Sequence, residues 1–132
     1  MFRMIGQYEI QRDGDVVHVR SAPEFNLEAA QQYARDMLEV IAQMPSRFAT
    51  LVEFEAPPII GPEVEESMHR SAKQRAERGM QAVAFVTQSV EGLAVANAQW
   101  GRIYAGTGVE FRTFRDPASA RAWLQELLGG GP

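Results

Sequence analysis

Residues 48–62 read FATLVEFEAPPIIGP, an apolar run that passes directly into a loop with three prolines. The run from Phe48 to Glu55 is short and rich in β-branched and aromatic side chains, which is typical of a strand in the centre of a sheet. Pro62, the last of the prolines, suits the first turn of a helix, and a charged helix-like run follows from Glu63 to Gly79. The stretch therefore predicts a strand, a stiff loop and a helix, which together make most of a β-α-β unit.

Toward the C-terminus, strand-like and helix-like runs continue to alternate. Buried-strand composition, period-two alternation and capping residues set the bounds of each run. We predict, in order, a strand at Met80 to Thr87, a helix at Val90 to Ala105 capped by Ser89, a strand at Val109 to Phe114, a helix from Pro117 to Leu128 opened by Asp116, and a frayed tail from Gly129 to Pro132.

Toward the N-terminus, the pattern predicts a hairpin and then a helix. Asp13-Gly14 lies between two strand-like runs, Tyr8 to Gln11 and Val16 to Arg20, and this dipeptide favours the tight turn of a β-hairpin. Asn26 is suited to cap the next segment, where apolar residues recur at helical spacing from Leu27 to Ile41 until a proline stops them. The complete order is β-β-α-β-α-β-α-β-α, which calls for an α/β fold with a mixed sheet and parallel later strands.

The composition bounds the fold and the function classes. With 132 residues and 45% hydrophobic content, the chain suffices for one domain, 1–132, and not for two. The absence of cysteine excludes disulfides, thiolate metal ligands and cysteine nucleophiles. A net charge of -4 with dispersed basic residues argues against nucleic acid as a partner. No signal-like or membrane-spanning apolar run is present, so we expect a cytoplasmic protein, peripheral to a membrane at most.

The element order, with FRTFRD at residues 111–116 and ARAWL at residues 120–124, resembles the SpoIIAA-like family. These are small bacterial relatives of the sulfate transporter and anti-sigma-antagonist (STAS) domain, and the resemblance extends from about Tyr8 to Leu128. It implies a sheet with helices wound as a β-α superhelix, a layout shared with lipid-carrying CRAL-TRIO domains. It also implies no established enzymatic activity.

The loop after the central strand departs from the pattern of true anti-sigma antagonists. Those proteins carry an aspartate and then a phosphorylatable serine and glycine at this point, whereas Glu55 is followed here by Ala56 and the apolar proline loop. No hydroxyl is available in that loop. A partner switch controlled by phosphorylation there is therefore disfavoured.

A ligand or partner surface is predicted at the proline loop and the two helices that follow it. Ile59 and Ile60 would form either an apolar lip that meets a ligand or a plug over the core. The helix after the loop has a thin apolar stripe and is flanked by Gly61 and Gly79, so it is either a hinged element or an ordinary surface helix. The predicted surface consists of Pro57, Pro58, Ile59, Ile60, Val64, Met68, Leu93, Trp100 and Tyr104.

The helix predicted from Val90 to Ala105 carries two apolar arcs at 100° per residue. A small-residue arc of Ala94, Ala98, Gly101 and Ala105 would allow close approach to the sheet, while a bulky arc of Leu93, Ala96, Trp100, Ile103 and Tyr104 would line a pocket or a subunit contact. The alternative is a helix buried by its own fold. Val95, Gln99 and Arg102 are left for solvent.

No catalytic, metal-binding or cofactor-binding motif is present. His18 is expected in solvent on the face opposite its neighbouring valines, and His69 in a solvated charged row with Glu65 and Lys73. Glu53 and Glu55 are the carboxylates on which a hydrolase alternative would depend.

The leading functional hypothesis is a non-catalytic binding module for an apolar, lipid-like ligand or a peripheral membrane surface. The alternative is a STAS-like protein-interaction or regulatory module, with a homodimer among its forms. We expect no cofactor, no metal and no nucleic-acid partner.

Overall fold

The computed structural model describes residues 3–4, 8–21, 26–56 and 59–129. Within these ranges the elements are β1 (Arg3–Met4), β2 (Tyr8–Asp13), β3 (Val16–Ser21), α1 (Leu27–Ile41), β4 (Phe48–Phe54), α2 (Pro62–Glu77), β5 (Met80–Val86), α3 (Leu93–Tyr104), β6 (Glu110–Phe114) and α4 (Pro117–Gly129). The predicted order of strands and helices is confirmed. The short strand β1 is an addition that the sequence pattern did not indicate, because two residues are too few to show a period.

The strands of the sheet follow the same order in space as in the chain, from β1 to β6. β1 pairs with β2 and β2 with β3 in antiparallel fashion. The second pair is joined by a two-residue turn at Gly14-Asp15, one residue later than the predicted Asp13-Gly14 turn, because Asp13 pairs with Val16 as the last residue of β2. β3, β4, β5 and β6 are parallel to one another. The mixed sheet predicted from the hairpin and the later β-α-β units is therefore confirmed.

The strand order places three helices on one face of the sheet. Each of α1, α2 and α3 connects a strand to the next parallel strand in the same direction, and right-handed crossovers of that kind all lie on one side. Val17, Val52 and Phe85 from the sheet pack with residues of these helices in one core cluster. The opposite face carries α4, whose Ala120 and Leu124 are fully buried against a second cluster.

Two polar side chains fix the starts of α1 and α4. The Oδ1 atom of Asn26 accepts a hydrogen bond from the N–H of Ala29 at 2.8 Å, as the sequence predicts for an N-cap. The carboxylate of Asp116 accepts from both the N–H and the hydroxyl of Ser119, and these hydrogen bonds hold the pKa of Asp116 below its usual value. The expected opening of the last helix at Asp116-Pro117 is thus confirmed.

The start of α3 differs from the prediction. Ser89 does not cap it, because the N–H of Ser89 donates to the hydroxyl of Thr87 and the helix begins only at Leu93. Gly92 precedes it with φ of 73°, a left-handed conformation that favours glycine. Val90 therefore lies in the loop, and α3 starts three residues later than expected. Of the predicted tail, Gly129 ends α4, while residues 130–132 lie outside the described ranges.

None of the helices within the described ranges is long and apolar enough to cross a membrane.

Gly79 provides a test of the close approach between the turn after α2 and the segment that precedes β4. Its φ is 113°, and a Cβ atom there would lie 1.9 Å from the carbonyl oxygen of Ser46. We expect Gly79→Ala to lower the free energy of unfolding by about 3 kcal/mol or more, from backbone strain and the steric clash together. Gly108→Ala is the matched control, since its φ is 81° with open space around it and only the strain term, about 1 kcal/mol, applies. Urea unfolding measures both; equal losses would contradict the proposed clash.

Candidate functional site

A cavity lies between the sheet and the three helices of the first face. Its volume is about 60 Å³, it is partly open to solvent, and its lining is mainly apolar. It lies over the carboxyl ends of β3, β4 and β5, where ligands commonly bind in α/β sheets. The lining residues are Tyr8, Val19, Ser21, Tyr33, Val52, Phe54, Ile60, Met68, Phe85, Gln99, Trp100, Ile103 and Tyr104.

Small side chains on α2 account for the gap beneath it. α2 contacts α1 on one side and α3 on the other. Its buried positions include Ser67, Ser71 and Ala72, which are too short to fill the space above the strands. Met68 is the larger α2 residue that reaches the cavity. The thin apolar stripe predicted for this helix is thus the physical reason that a cavity exists here.

Stacked aromatic rings form one wall of the cavity. The ring centroids of Phe85 and Trp100 lie 3.8 Å apart with planes 2° from parallel. Phe54 lies 5.7 Å from Trp100 and 6.0 Å from Phe85 in nearly parallel orientation. This stack joins the ends of β4 and β5 to the middle of α3, and it presents aromatic rings to the cavity.

The two isoleucines of the proline loop point to different environments. Ile60 is half-buried and lines the cavity, and its carbonyl oxygen accepts a hydrogen bond from Nε2 of Gln99 at 3.0 Å. Ile59 is 64% exposed and lies beside Gly92. Ile60 therefore matches the predicted plug over the core, and Ile59 matches the predicted exposed lip. Pro57 and Pro58, also predicted for the site, lie outside the described residues.

The remaining predicted site residues divide between the cavity and its surroundings. Met68, Trp100 and Tyr104 line the cavity together with Ile60. Val64 is buried within α2 without reaching the cavity, and Leu93 packs on the core from the first turn of α3.

The small-residue arc of α3 was expected to face the sheet, but it faces away from it. Its buried side chains are Ala96, Gln99, Trp100, Ile103 and Tyr104, so the bulky arc faces the sheet and the cavity. Ala94, Ala98 and Ala105 are exposed. The large rings fill the separation between α3 and the sheet, whereas alanines there would leave a void. Gln99 was expected in solvent and is instead buried, where its amide holds the proline loop.

Polar contacts join α2 to α3. Oε1 and Oε2 of Glu65 accept hydrogen bonds from the guanidinium of Arg102 at 2.8 and 2.9 Å, and this pairing lowers the pKa of Glu65. His69 hydrogen bonds through Nδ1 to the carbonyl oxygen of Ile103 at 2.8 Å. The expectation of a solvated His69 is therefore wrong, since the ring contacts the next helix. Glu66 and Arg70, one helical turn apart, form an ion pair on the outer side of α2.

Sequence reasoning missed that all three tyrosines of the chain line this cavity. Tyr8 donates its hydroxyl proton to Asp36 at 2.5 Å, and burial together with this bond raises the pKa of Tyr8. Burial also raises the pKa of Tyr33 to about 12, although the nearby Arg75 acts in the opposite direction. No local pattern joins residues so distant in the chain.

Arg75 is the second omission, and here a signal was present. Its position near the C-terminal end of α2 is one where a basic residue usually interacts with the helix dipole from solvent, but Arg75 is only 2% exposed. Ser67, Ser71 and Arg75 recur every four residues beside Met68 and Ala72, so they share the inner face of the helix. That spacing could have indicated a buried arginine.

The opposite face of the sheet carries a polar cluster. His18 lies on the face away from Val17 and Val19, as predicted, but its ring is half-buried and hydrogen bonded to Glu53 rather than solvated. Glu55, the other carboxylate of the hydrolase alternative, is exposed. Within the described part of the chain, no group of three or more potential ligands is arranged to hold a metal ion.

The fold has a close match among solved structures. A crystal structure of an uncharacterised protein of the DUF3478 family from Shewanella loihica PV-4, described as having a SpoIIAA-like fold, superposes with a TM-score of 0.62. The alignment covers 94% of this chain and 98% of that one at 16% sequence identity. This chain has a SpoIIAA-like fold. The SpoIIAA-like architecture expected from residues 111–116 and 120–124 is therefore confirmed. No family model matches the sequence, and no curated protein does.

The contact between Gln99 and the proline loop gives a first prediction for this cavity. Gln99→Leu removes the donor that holds the carbonyl of Ile60, and an unpaired buried carbonyl costs about 1 to 3 kcal/mol. We expect the amide of Glu65, which donates to the carbonyl oxygen of Gly61 at 3.0 Å, to exchange with solvent about tenfold faster, measured by hydrogen exchange. Gln125→Leu is the matched control, because Gln125 bonds to Asp15 on the other face. Unchanged exchange in Gln99→Leu would show that this bond does not restrain the loop.

Tyr33 gives a second prediction, on alkaline stability. The folded protein keeps the Tyr33 proton to about pH 12, whereas the unfolded chain loses it near pH 10. The free energy of unfolding therefore falls as pH rises through this window, by about 2 kcal/mol from Tyr33 alone between about pH 9 and pH 11.5. We expect Tyr33→Phe to lose that much less stability than the wild type in urea titrations across the window. Parallel losses in both proteins would refute the assignment.

Proposed function

We propose that this protein is a non-catalytic binding module that takes an apolar, lipid-like ligand into the cavity between α2, α3 and the sheet. The apolar, partly open cavity with its wall of stacked aromatic rings is the observation that carries the proposal. Cavities of this composition at the carboxyl ends of strands are the usual sites of small ligands.

The size of the cavity requires movement when a ligand binds. Pockets for drug-sized ligands usually measure about 300 to 1,000 Å³, well above the 60 Å³ present here. α2 is the element suited to move. Its links to α3 at Glu65 and His69 are polar and can exchange with water, and glycines at positions 61 and 79 flank it. Displacement of the N-terminal half of α2 would open the cavity, while Arg75 in the C-terminal half and the aromatic wall stay in place.

An exposed apolar rim supports a membrane surface as the place where the ligand is exchanged. The exposed large hydrophobic residues of the described ranges are Ile59, Val90 and Val95. Ile59 lies beside Gly92, and Gly92 stands between Val90 and Val95 in the chain. With a net charge of -4, the protein would favour zwitterionic over anionic bilayers. The same rim would serve the alternative function, contact with a protein partner or a second copy of the chain.

The adjacent isoleucines form a matched pair for testing this proposal. Ile60→Asn places a polar group in the lining and is expected to weaken binding of the neutral dye Nile red about tenfold, whereas Ile59→Asn should leave it unchanged. Conversely, Ile59→Asn should reduce flotation with phosphatidylcholine vesicles more than Ile60→Asn does. Fluorescence of Trp100, isolated by Trp123→Phe, reports dye in the cavity. A wild-type protein that binds neither dye nor vesicles would refute the proposal.

Sedimentation separates the alternative from the leading function. A dimer that is lost in Ile59→Asn, without any dye binding by the wild type, would favour the interaction module. Native mass spectrometry and solvent extraction of the purified protein would reveal a retained apolar ligand.

A further inference from the structure

Arg75 is a buried cation that no carboxylate neutralises among the described residues. Its side chain is 2% exposed, and it takes part in none of the ion pairs within the described ranges. Burial of an arginine normally requires an acidic partner, because a guanidinium loses its hydration in the interior. A buried positive charge without such a partner favours a bound anion.

The acceptors that Arg75 does find are neutral. Its guanidinium donates to the hydroxyl of Ser71, and Nη2 lies 3.5 Å from the hydroxyl oxygen of Tyr104, at the long limit of a hydrogen bond. The guanidinium carbon lies 5.7 Å from the centre of the Tyr33 ring, a cation–π contact. Five N–H groups are available on an arginine, so these contacts leave capacity for a stronger acceptor.

The guanidinium lies behind the lining of the cavity, and Arg75 is not itself a lining residue. Tyr33 and Tyr104, the two rings that it contacts, both line the cavity. Because the oxygen of Tyr104 accepts from Arg75, its own proton is oriented away from the guanidinium and can be donated to a ligand. The hydroxyl is thus a link between the buried charge and the apolar space.

Tyr8, another tyrosine of the lining, does not offer the same site. Its hydroxyl donates to Asp36, which also accepts from Gln32 at 2.9 Å. The carboxylate of Asp36 would repel an anionic head group, so Tyr104 is the tyrosine suited to receive one.

We propose that the ligand is an amphiphile with one carboxylate, whose head group is bound at Tyr104 and Arg75 and whose apolar chain lies along the Phe85 and Trp100 rings. This assignment rests on the proposed function, because it requires that an apolar chain enter the cavity. A carboxylate accepts a hydrogen bond from the Tyr104 hydroxyl and neutralises the Arg75 charge. That positive charge strengthens the hydrogen bond.

Octanoate, 1-octanol and octylammonium test the head group with one chain length. We expect the wild-type protein to bind octanoate at least about tenfold more tightly than octanol, because a charge-assisted hydrogen bond in a buried site is worth that much or more. Octylammonium should bind more weakly than octanoate, because the Arg75 charge beside Tyr104 would repel its cation. Displacement of Nile red and quenching of Trp100 fluorescence measure all three affinities.

Two variants locate the charge. Tyr104→Phe retains the ring but removes the hydroxyl, and Arg75→Met retains the chain length but removes the cation. Both should bind octanoate no better than octanol, while octanol affinity stays within about threefold of the wild type. Arg102→Met is the control, since Arg102 is an exposed arginine paired with Glu65, and it should keep the preference for octanoate. Tyr104→Phe suffices if Arg75→Met fails to fold.

The outcomes separate this assignment from the function on which it rests. Equal binding of octanoate and octanol by the wild type would overturn the carboxylate head group while supporting an apolar-ligand module. A preference for octanoate that persists in both variants would overturn the role of Arg75 and Tyr104. Failure of all three probes to bind or to displace the dye would overturn the assignment and the proposed function together.

Discussion

The contact between the Phe85 and Trp100 rings is the interaction on which the site depends. With centroids 3.8 Å apart and nearly parallel planes, it holds the middle of α3 against the end of a buried strand. α3 in turn supplies the amide of Gln99 that binds the proline loop and the hydroxyl of Tyr104 that contacts Arg75. If that stack were lost, the loop and α2 would lose the surface to which they are attached.

α2 differs from its two neighbours in how it is held. α1 inserts Tyr33, Met37 and Ile41 into the core, and α3 inserts Trp100 and Ile103, whereas the inner face of α2 is mostly serine and alanine. Its attachment to α3 is by hydrogen bonds and an ion pair. The exposed pair of Glu65 and Arg102 contributes little stability, whereas Arg75 attaches the C-terminal half of α2 to Tyr33 and Tyr104 in the interior.

The order of elements, the Asn26 cap, the first hairpin and the SpoIIAA-like architecture could all be predicted, because each depends on residues close together in the chain. The cavity could be predicted only in part. The proline loop was found from composition, and Trp100 from the projection of its helix. The direction in which α3 faces depends on its distance from the sheet, and a helical projection does not contain that distance. Burial of Arg75 and convergence of the three tyrosines arise from packing between distant segments. The start of α3 was missed because Gly92, not a side-chain cap, begins it.

The agreement between strand order and chain order has a consequence for synthesis of the protein. Each strand pairs with the strand that precedes it, so every new β-α unit leaving the ribosome meets a docking edge that already exists. No segment must wait for a distant partner, and loop closure at each step is short. α4 follows all six described strands in the chain and contacts β4, β5 and β6 together, so the second face of the sheet is covered only after every one of these strands has been made.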